Sequence, residues 1–182
     1  MKKTAEKFKS KFRPYEVPAK LLALADYWDK NPEFFSGSFE VDSDEYDSAV
    51  DWFRKNEEGY SKVRVFGIDG IHSLYAFWTA EESDLEKCPI VYLGGEGEGT
   101  VVLAENFDIL LSILASNREY EPFDKDFMEE ETSNEEENKR FRKWLQKNYN
   151  ILPAKNPLSL MKKAQKRFPG FQKWLKTVIP GR

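Results

Sequence analysis

Residues 94–99, GGEGEG, form a glycine-rich loop of a type that can bind phosphate. A phosphate-binding loop aims backbone N–H groups at its ligand and leads directly into the N-terminus of a helix. Here a β-branched run beginning at Thr100 follows the loop, no Gly-Lys-Ser/Thr is present, and the carboxylates of Glu96 and Glu98 would repel phosphate. The pattern therefore predicts a hairpin turn between two strands, where glycine supplies the positive φ that such turns require.

Closely spaced carboxylates are the second group of residues suited to chemistry. Two carboxyls held face to face across a cleft, in unlike environments, can act as acid and base in glycoside hydrolysis. A chain with 32 Asp and Glu residues produces close neighbours by chance, so a small carboxylate-dependent hydrolase is the third and last functional hypothesis. Clustered Asp could also supply calcium ligands, but no EF-hand spacing is present. The pairs are Glu81/Glu82, Glu96/Glu98 and Asp124/Asp126.

The only histidine and the only cysteine, His72 and Cys88, complete the set of reactive side chains. A single histidine beside an Asp-Gly turn is typical of a polar turn residue, and no Cys–His pairing is indicated by the sequence. One cysteine excludes an internal disulfide framework and a zinc site built from a cysteine cluster. The sequence thus predicts a protein that is not an enzyme and has no metal or cofactor.

The elements that would position these residues alternate between helices and short strands. Leu21, Leu24, Ala25 and Trp28 repeat on one face of a helix from Ala19 to about Lys30, and Ser43 can cap a second helix reaching about Lys55, ended by Glu58-Gly59. Strands follow at 62–68 and 74–79 around an Asp69-Gly70 turn, then at 90–93 and 100–103. Asn106 caps the next helix.

The predicted organisation has four parts. An acidic, solvated linker separates the central part from two amphipathic helices, the second of which begins with Asn156 as cap and Pro157 at its first position. We expect an α+β fold with a central antiparallel sheet of about four to six strands flanked by helices, and additional C-terminal helices. The parts are a basic lead-in (1–18), an α+β domain (19–117), the linker (118–138) and a basic helical extension (139–182).

Charge is strongly segregated along the chain. Residues 1–20 hold seven Lys/Arg against two acids, residues 21–138 hold eight against thirty, and residues 139–182 hold thirteen and no acid. Either the basic ends pack across the acidic body, or one of these surfaces binds a partner. The basic helices invite nucleic-acid binding, but their aromatic residues recur at helical spacing, as in a packed face, so nucleic acid is a minor alternative.

The hydropathy of the chain and its first residues predict where in the cell the protein is located. No run approaches the ~20 apolar residues of a membrane span, and the first residues, MKKTAEKFKSKF, lack the apolar stretch of a secretory signal. We therefore expect a cytoplasmic protein without membrane contact. The oligomeric state is left open.

The central block resembles the SUKH superfamily, which groups bacterial immunity proteins of toxin systems with a yeast regulator of cell-wall synthesis. The resemblance covers about residues 60–117 and consists of a P-h-h-x-L-G-S-E-G turn followed by an N-F-x-x-F-L-x-L-L-A helix, with Gly95 where serine is common. The matching residues are Pro89, Leu93, Gly94, Glu96 and Gly97 in the turn, and Asn106, Phe107, Leu110, Leu111, Leu114 and Ala115 in the helix.

The resemblance implies an α+β fold without catalysis and a protein that binds a toxin, often a nuclease, and blocks its active site. An acidic surface suits such a basic partner. An interaction domain with a regulatory or scaffolding role in cell-envelope physiology is the alternative, after the yeast relative. The predicted partner-binding residues are those of two acidic loops, with Trp78 or Tyr92 as anchors: Glu81, Glu82, Asp84, Glu86, Glu96 and Glu98.

Overall fold

The structure is a computed structural model that describes residues 3–42, 48–95, 97–122, 124, 128–130 and 133–180. Within these ranges the chain forms eight helices and seven strands, in the order α1 (Thr4–Lys11), α2 (Ala19–Lys30), β1 (Glu40–Val41), α3 (Ser48–Trp52), α4 (Glu57–Tyr60), β2 (Val63–Ile68), β3 (Leu74–Trp78), β4 (Ile90–Leu93), β5 (Val101–Ala104), α5 (Phe107–Ala115), β6 (Arg118–Tyr120), β7 (Met128–Glu130), α6 (Glu135–Tyr149), α7 (Pro157–Arg167) and α8 (Gly170–Val178).

The central sheet has five antiparallel strands in the order β1-β2-β3-β4-β5. In its register, Val63 pairs with Trp78 and Leu74 pairs with Leu93. Every strand therefore pairs with its neighbour in the chain. The connections after β2 and β4 are short, whereas α3 and α4 lie between β1 and β2. The expected α+β fold, with helices flanking an antiparallel sheet and further C-terminal helices, is confirmed.

The sheet is covered on both faces, which explains why its strands are apolar without alternation. All residues of β3, β4 and β5 are buried. Along β3, Tyr75 and Phe77 belong to a larger core on one face, whereas Leu74, Ala76 and Trp78 belong to a smaller core on the other. Burial on both faces replaces the apolar–polar alternation typical of a half-exposed antiparallel sheet.

The larger core includes the N-terminal helix. Phe8 of α1 and Phe12, the C-cap residue one turn later, are fully buried, and the Phe12 ring centroid lies 6.2 Å from that of Phe77. Residues 1–18, which we expected to be a poorly specified basic lead-in, therefore contain a helix that packs on the sheet. The prediction was wrong on this point because two aromatic residues at helical spacing outweigh the surrounding lysines.

The C-terminal helices are part of the same two cores. On α6, Phe141 is buried and its ring lies 4.2 Å from that of Phe35. On α8, Phe171 is buried in the smaller core. Basic side chains of α7 also reach the acidic body, since Arg167 pairs with Glu105 at 2.8 Å. The basic end of the chain thus packs across the acidic part, one of the two explanations that the charge pattern left open.

Several predicted helix boundaries are confirmed by their caps. The side chain of Asn106 accepts a hydrogen bond from the amide of Ile109 at 3.0 Å, and that of Asn156 accepts one from the amide of Ser159 at 3.0 Å. The helix predicted to run to about Lys55 instead ends at Trp52, and a new helix, α4, starts after the cap Asn56 and includes Gly59, the residue expected to end the first one. The predicted cap Ser43 lies outside the described residues.

The segment 118–138, expected to be a solvated linker, contains two strands and buried side chains. Strands β6 and β7 pair antiparallel, with Tyr120 opposite Met128. Both side chains are 4% exposed and belong to the larger core. This correction has a physical reason: the few apolar residues in the segment are enough to fix it to the core, although acidic residues dominate its composition.

Candidate binding site

The two predicted acidic loops lie at opposite ends of the central sheet. Because consecutive strands run antiparallel, the β2–β3 turn (69–73) and the β4–β5 loop (94–100) lie at the same end of the sheet, here called the hairpin end. The β3–β4 loop (79–89) lies at the opposite end, here called the loop end. Strand β3 has five residues, so the two ends are about 17 Å apart. The predicted contact residues are therefore split between two surfaces, and Glu96 lies outside the described residues.

At the loop end, carboxylates stabilise the loop that carries them. Glu82 accepts hydrogen bonds from the amides of Ser83 and Asp84 at 2.8 and 2.9 Å. Asp84 in turn accepts one from the amide of Glu86 at 3.1 Å and pairs with Lys87 at 3.0 Å. The hydrogen bond from Lys87 lowers the pKa of Asp84 below its ordinary value. Acidic side chains that accept hydrogen bonds from backbone amides one or two residues later stabilise turns, and this accounts for the acidic composition of the loop.

Glu81, the first acid of that loop, lies against the start of α8. A Cβ atom added to Gly170 would overlap the Glu81 carboxylate, so the carboxylate and the first turn of the helix are in close contact. Negative charge is stabilised at a helix N-terminus by the unpaired N–H groups and the helix dipole. Glu86 is exposed. The loop-end acids thus include three with structural roles and one, Glu86, that makes no polar contact with another described residue beyond the hydrogen bond of its backbone amide.

The two predicted anchors, Trp78 and Tyr92, are each 1% exposed and cannot contact a partner directly. The Trp78 ring packs against Phe171 and Trp174 of α8, at centroid distances of 5.3 and 5.6 Å. The prediction was wrong because a helix more than 90 residues later in the chain covers Trp78. Tyr92 is buried for a different reason, since its hydroxyl belongs to a polar network at the hairpin end.

This network joins Tyr92, Asp69 and Ser73. The Tyr92 hydroxyl lies 2.8 Å from Oδ2 of Asp69 and 2.8 Å from Oγ of Ser73. Because a carboxylate only accepts, the phenol donates to Asp69 and accepts from Ser73. The second carboxylate oxygen of Asp69 accepts hydrogen bonds from the amides of Ile71 at 3.1 Å and Ser73 at 2.8 Å. The predicted Asp69-Gly70 turn is thus confirmed and is fixed by a buried carboxylate.

The network also holds the glycine loop. Oγ of Ser73 accepts a hydrogen bond from the amide of Gly95 at 3.1 Å. The amide of Gly94 donates to Oγ1 of Thr100 at 3.1 Å, and its carbonyl accepts from Nε1 of Trp52 at 2.8 Å. Gly97 and Gly99 have φ of 91° and 65°, and strand β5 follows the loop. The loop is the predicted turn between two strands.

A third segment, β6 with the residues after it, completes the hairpin end. The Glu119 carboxylate accepts hydrogen bonds from the hydroxyl and the amide of Ser38, the latter at 3.3 Å. Oγ of Ser38 also accepts a hydrogen bond from the amide of Gly70 at 3.1 Å. Glu119 and Asp69 therefore approach the same turn from two sides. Both carboxylates act on the neighbouring phenol, since after burial their charges contribute to raising the pKa of Tyr92.

A half-open cavity of about 280 Å³, here called the Asp69 cavity, lies where these segments meet. Tyr120 lines it, and its ring stands edge-on to that of Tyr92 with the centroids 5.1 Å apart. The Tyr120 hydroxyl is buried and has no hydrogen-bond partner among the described residues. Burial, and then the charge of Glu121, raise the pKa of Tyr120 to about 12. The remaining lining residues are Ser38, Asp69, Ile71, Tyr92, Glu119, Glu121 and Pro122.

Ile71 marks the rim of this cavity. Its side chain is 55% exposed, although large apolar side chains are mostly buried in this protein. A Cβ atom added to Gly95 would lie 2.5 Å from the Ile71 carbonyl oxygen, so the glycine loop packs directly beside this residue. Glu98, one of the predicted contact residues, is exposed on the same loop. The hairpin end thus combines one exposed apolar residue with nearby carboxylates.

Sequence reasoning missed Asp69, Glu119 and Tyr120 as functional candidates. Asp69 carried only a turn signal, and the other two lay in the predicted linker. The sequence contained one usable clue, a tyrosine directly following a glutamate in an otherwise charged segment. Their proximity arises from contacts between residues up to 81 positions apart, such as that of Ser38 with Glu119.

The remaining reactive side chains have structural surroundings. Cys88 is buried, its thiol donates to the carbonyl of Glu82 at 3.2 Å, and burial followed by the charges of Glu82 and Asp84 raises its pKa to about 12. A thiol with such a pKa is not a nucleophile near neutral pH. His72 is exposed in the turn with φ of 62°. In the described ranges, no three His, Cys, Asp or Glu side chains are grouped closely enough to hold a metal ion.

Comparison with family models, with curated proteins and with solved structures gives no match to this chain. Every helix in the described part of the chain falls short of the length or the apolarity that a bilayer span requires.

Proposed function

We propose that this protein is a non-enzymatic binding module of the toxin-immunity type, which binds and blocks a basic, nuclease-type toxin domain with the hairpin end of its sheet. The observation that carries the proposal is the position of the exposed Ile71 beside a cavity lined by carboxylates. The resemblance of residues 60–117 to the SUKH superfamily supplies the class of partner.

The hairpin end fits a partner better than the loop end does. Protein interfaces combine an apolar centre with a polar rim, and Ile71 with the nearby carboxylates offers that arrangement. At the loop end, Glu82 and Asp84 are occupied by their own loop and the aromatic residues are buried. We therefore propose the turn 69–73, the described residues of the loop 94–100 and strand β6 as the partner surface.

Charge favours a basic partner. Residues 21–138 hold thirty Asp and Glu against eight Lys and Arg, and the ion pair of Arg167 from the basic helix α7 is made to Glu105, at the end of β5 that lies away from the hairpin end. Nucleases carry positive surfaces for their polyanionic substrates, so an acidic face attracts them over long distances. Complementary charge raises the association rate, an effect that falls as salt screens it.

Co-expression tests this function. The protein is produced together with toxin candidates encoded beside its gene, and growth rescue and co-purification are measured. Neutralisation of a toxin, with formation of a stable complex, is the expected result. Failure of every neighbouring toxin to be neutralised or bound would remove the immunity function. Capture of an envelope protein without neutralisation would favour the regulatory role in cell-envelope physiology instead.

Two matched charge reversals test the surface. Glu98→Lys, at the hairpin end, should lower the association rate constant at least about threefold at low salt and weaken its salt dependence. Glu86→Lys makes the same change in net charge at the loop end and should have a smaller effect. Surface plasmon resonance at several salt concentrations measures both. Equal effects, or a larger effect of Glu86→Lys, would contradict the assignment of the partner surface.

A further inference from the structure

We propose that the Asp69 cavity binds the guanidinium group of an arginine side chain presented by the partner. This inference rests on the proposed function and adds the chemical group that is recognised. Four observations carry it: the state of the Asp69 carboxylate, the Tyr120 hydroxyl, the size of the cavity and its aromatic wall.

The Asp69 carboxylate lacks a cationic partner. The residue is 4% exposed, and its oxygens accept hydrogen bonds from two amides and one phenol. None of its contacts in the described part of the chain is with a lysine or an arginine. A buried carboxylate is expensive to desolvate, and neutral hydrogen bonds compensate less than a charge-assisted pair does. A cation from outside the chain would supply that pair.

The Tyr120 hydroxyl is an independent indication of a ligand. Tyr120 is 4% exposed and lines the cavity, but its hydroxyl has no hydrogen-bond partner within the described residues. Buried polar groups are nearly always hydrogen-bonded, so an unpaired one requires an explanation. An N–H donor that enters the cavity would satisfy the phenol oxygen, which can accept as well as donate.

The size and walls of the cavity select the group. A volume of about 280 Å³ lies at the lower limit of ligand pockets and suits one side chain better than a larger molecule. The rings of Tyr92 and Tyr120 meet edge-to-face at 85°, so the wall has both ring faces and edges. A guanidinium is planar, carries five N–H donors in a fixed fork and stacks on aromatic rings, whereas an ammonium is compact and strongly hydrated.

A titration without any partner protein tests this inference. N-acetyl-arginine methylamide is added to the full-length, ¹⁵N-labelled protein at low salt, and amide chemical shifts are followed. We expect saturable shifts centred on residues 69–73 and 119–121, with a dissociation constant in the millimolar range. The corresponding citrulline compound, a neutral isostere, should bind at least about tenfold more weakly, because it lacks the charge. The corresponding lysine compound should bind several-fold more weakly than arginine.

Tyr120→Phe is the decisive variant. It removes a hydroxyl that makes no hydrogen bond in the described fold, so the protein should remain folded while arginine affinity falls several-fold. Tyr15→Phe is the matched control, since that hydroxyl lies 3.3 Å from Oγ1 of Thr79 and not in the cavity. Affinity for arginine should be unchanged in the control.

Four outcomes would overturn the inference: no saturable shift, shifts centred on other residues, equal binding of the citrulline or lysine compound, or wild-type affinity in Tyr120→Phe. Because the titration uses no toxin, these outcomes are independent of the co-expression test. Neutralisation of a toxin without arginine binding would leave the proposed function standing and remove only the guanidinium site. Arginine binding without any toxin partner would support the guanidinium site and remove the proposed function.

Discussion

Both ends of the central sheet are rich in carboxylates, but the two ends use them differently. At the loop end, Glu82 and Asp84 stabilise the backbone and side chains of their own loop, and α8 covers the aromatic Trp78. At the hairpin end, Asp69 and Glu119 come from separate segments and stand beside an open cavity. A local run of acids thus marks a turn, whereas acids brought together from distant positions mark a candidate site.

The comparison also shows what composition conceals. Net charge is a property of the whole segment 21–138 and does not distinguish the two ends. The distinction lies in whether an unpaired polar atom belongs to a residue that lines a cavity. Among the described residues, the Tyr120 hydroxyl is buried and unpaired, and Tyr120 lines the Asp69 cavity. Nε1 of Trp78 at the loop end is also buried and unpaired, but α8 covers that side chain. A buried, unpaired polar atom of a residue that lines a cavity is therefore a better guide to binding than the number of charges.

The covering of the loop end by α8 can be tested by removing one aromatic ring. Phe171→Ala should lower the free energy of unfolding by about 4 kcal/mol, because the ring is fully buried between Trp78 and Trp174. Leu152→Ala is the control, since that side chain is 57% exposed. Urea denaturation measures both. Equal stability of the two variants would mean that α8 does not close the loop end.

The different roles of the carboxylates predict a second contrast. Asp69→Ala should cost about 3 kcal/mol of unfolding free energy, because it leaves two amides and the Tyr92 phenol without their buried acceptor. Asp84→Ala removes an exposed acceptor whose donors can turn to water, and its midpoint in urea should hardly change. A comparable loss in both variants would show that the two ends do not differ in this way.

Substitution of one glycine at each end tests whether the groups packed against the backbone there can move. A Cβ atom at Gly94 would overlap the carbonyl oxygen of Glu98, so Gly94→Ala should cost about 2 kcal/mol through a forced shift of the loop. At Gly170 the overlapping group is the carboxylate of Glu81, the far end of a flexible side chain that can move. Gly170→Ala should therefore be close to neutral in thermal unfolding. A large loss there would indicate that the contact of Glu81 with α8 is rigid.

The central fold was predictable because its signals are local. The β-branched runs of β4 and β5, the glycine turn between them and the cap Asn106 each depend on residues a few positions apart. The helix α1 was within reach too, since Phe8 and Phe12 have helical spacing, but the surrounding lysines and Pro14 favoured a loose segment. Local patterns thus predict elements well where no strong composition competes with them.

The candidate site was not predictable in the same way. The burial of Trp78 depends on Phe171, and the place of Glu119 depends on Ser38, both contacts between residues more than 80 positions apart. A single sequence contains no signal for such pairings. The sequence could therefore indicate that acidic residues matter, but the separation of the two ends follows only from the antiparallel order of the strands.

Alkaline titration follows one buried acid at each end of the sheet, a thiol at the loop end and a phenol at the hairpin end. Burial keeps the Cys88 thiol at the loop end and the Tyr120 phenol at the hairpin end protonated to about pH 12, above their ordinary pKa values of 9.0 and 10.0. A raised pKa of an acid favours the folded state below its unfolded value, and this stability is lost as pH rises towards the folded value.

In the wild type, the free energy of unfolding should thus decrease as pH is raised above about 9. Cys88→Ala should remove the part of the decrease that starts near pH 9, which amounts to about 1.4 kcal/mol at pH 10. Tyr120→Phe should remove only a part that starts near pH 10. Urea denaturation from pH 7 to 11 measures the slopes, which are insensitive to any constant loss in the variants. Identical slopes in the wild type and Cys88→Ala would mean that the thiol at the loop end is open to water, and the contrast between a closed and an open end would fail.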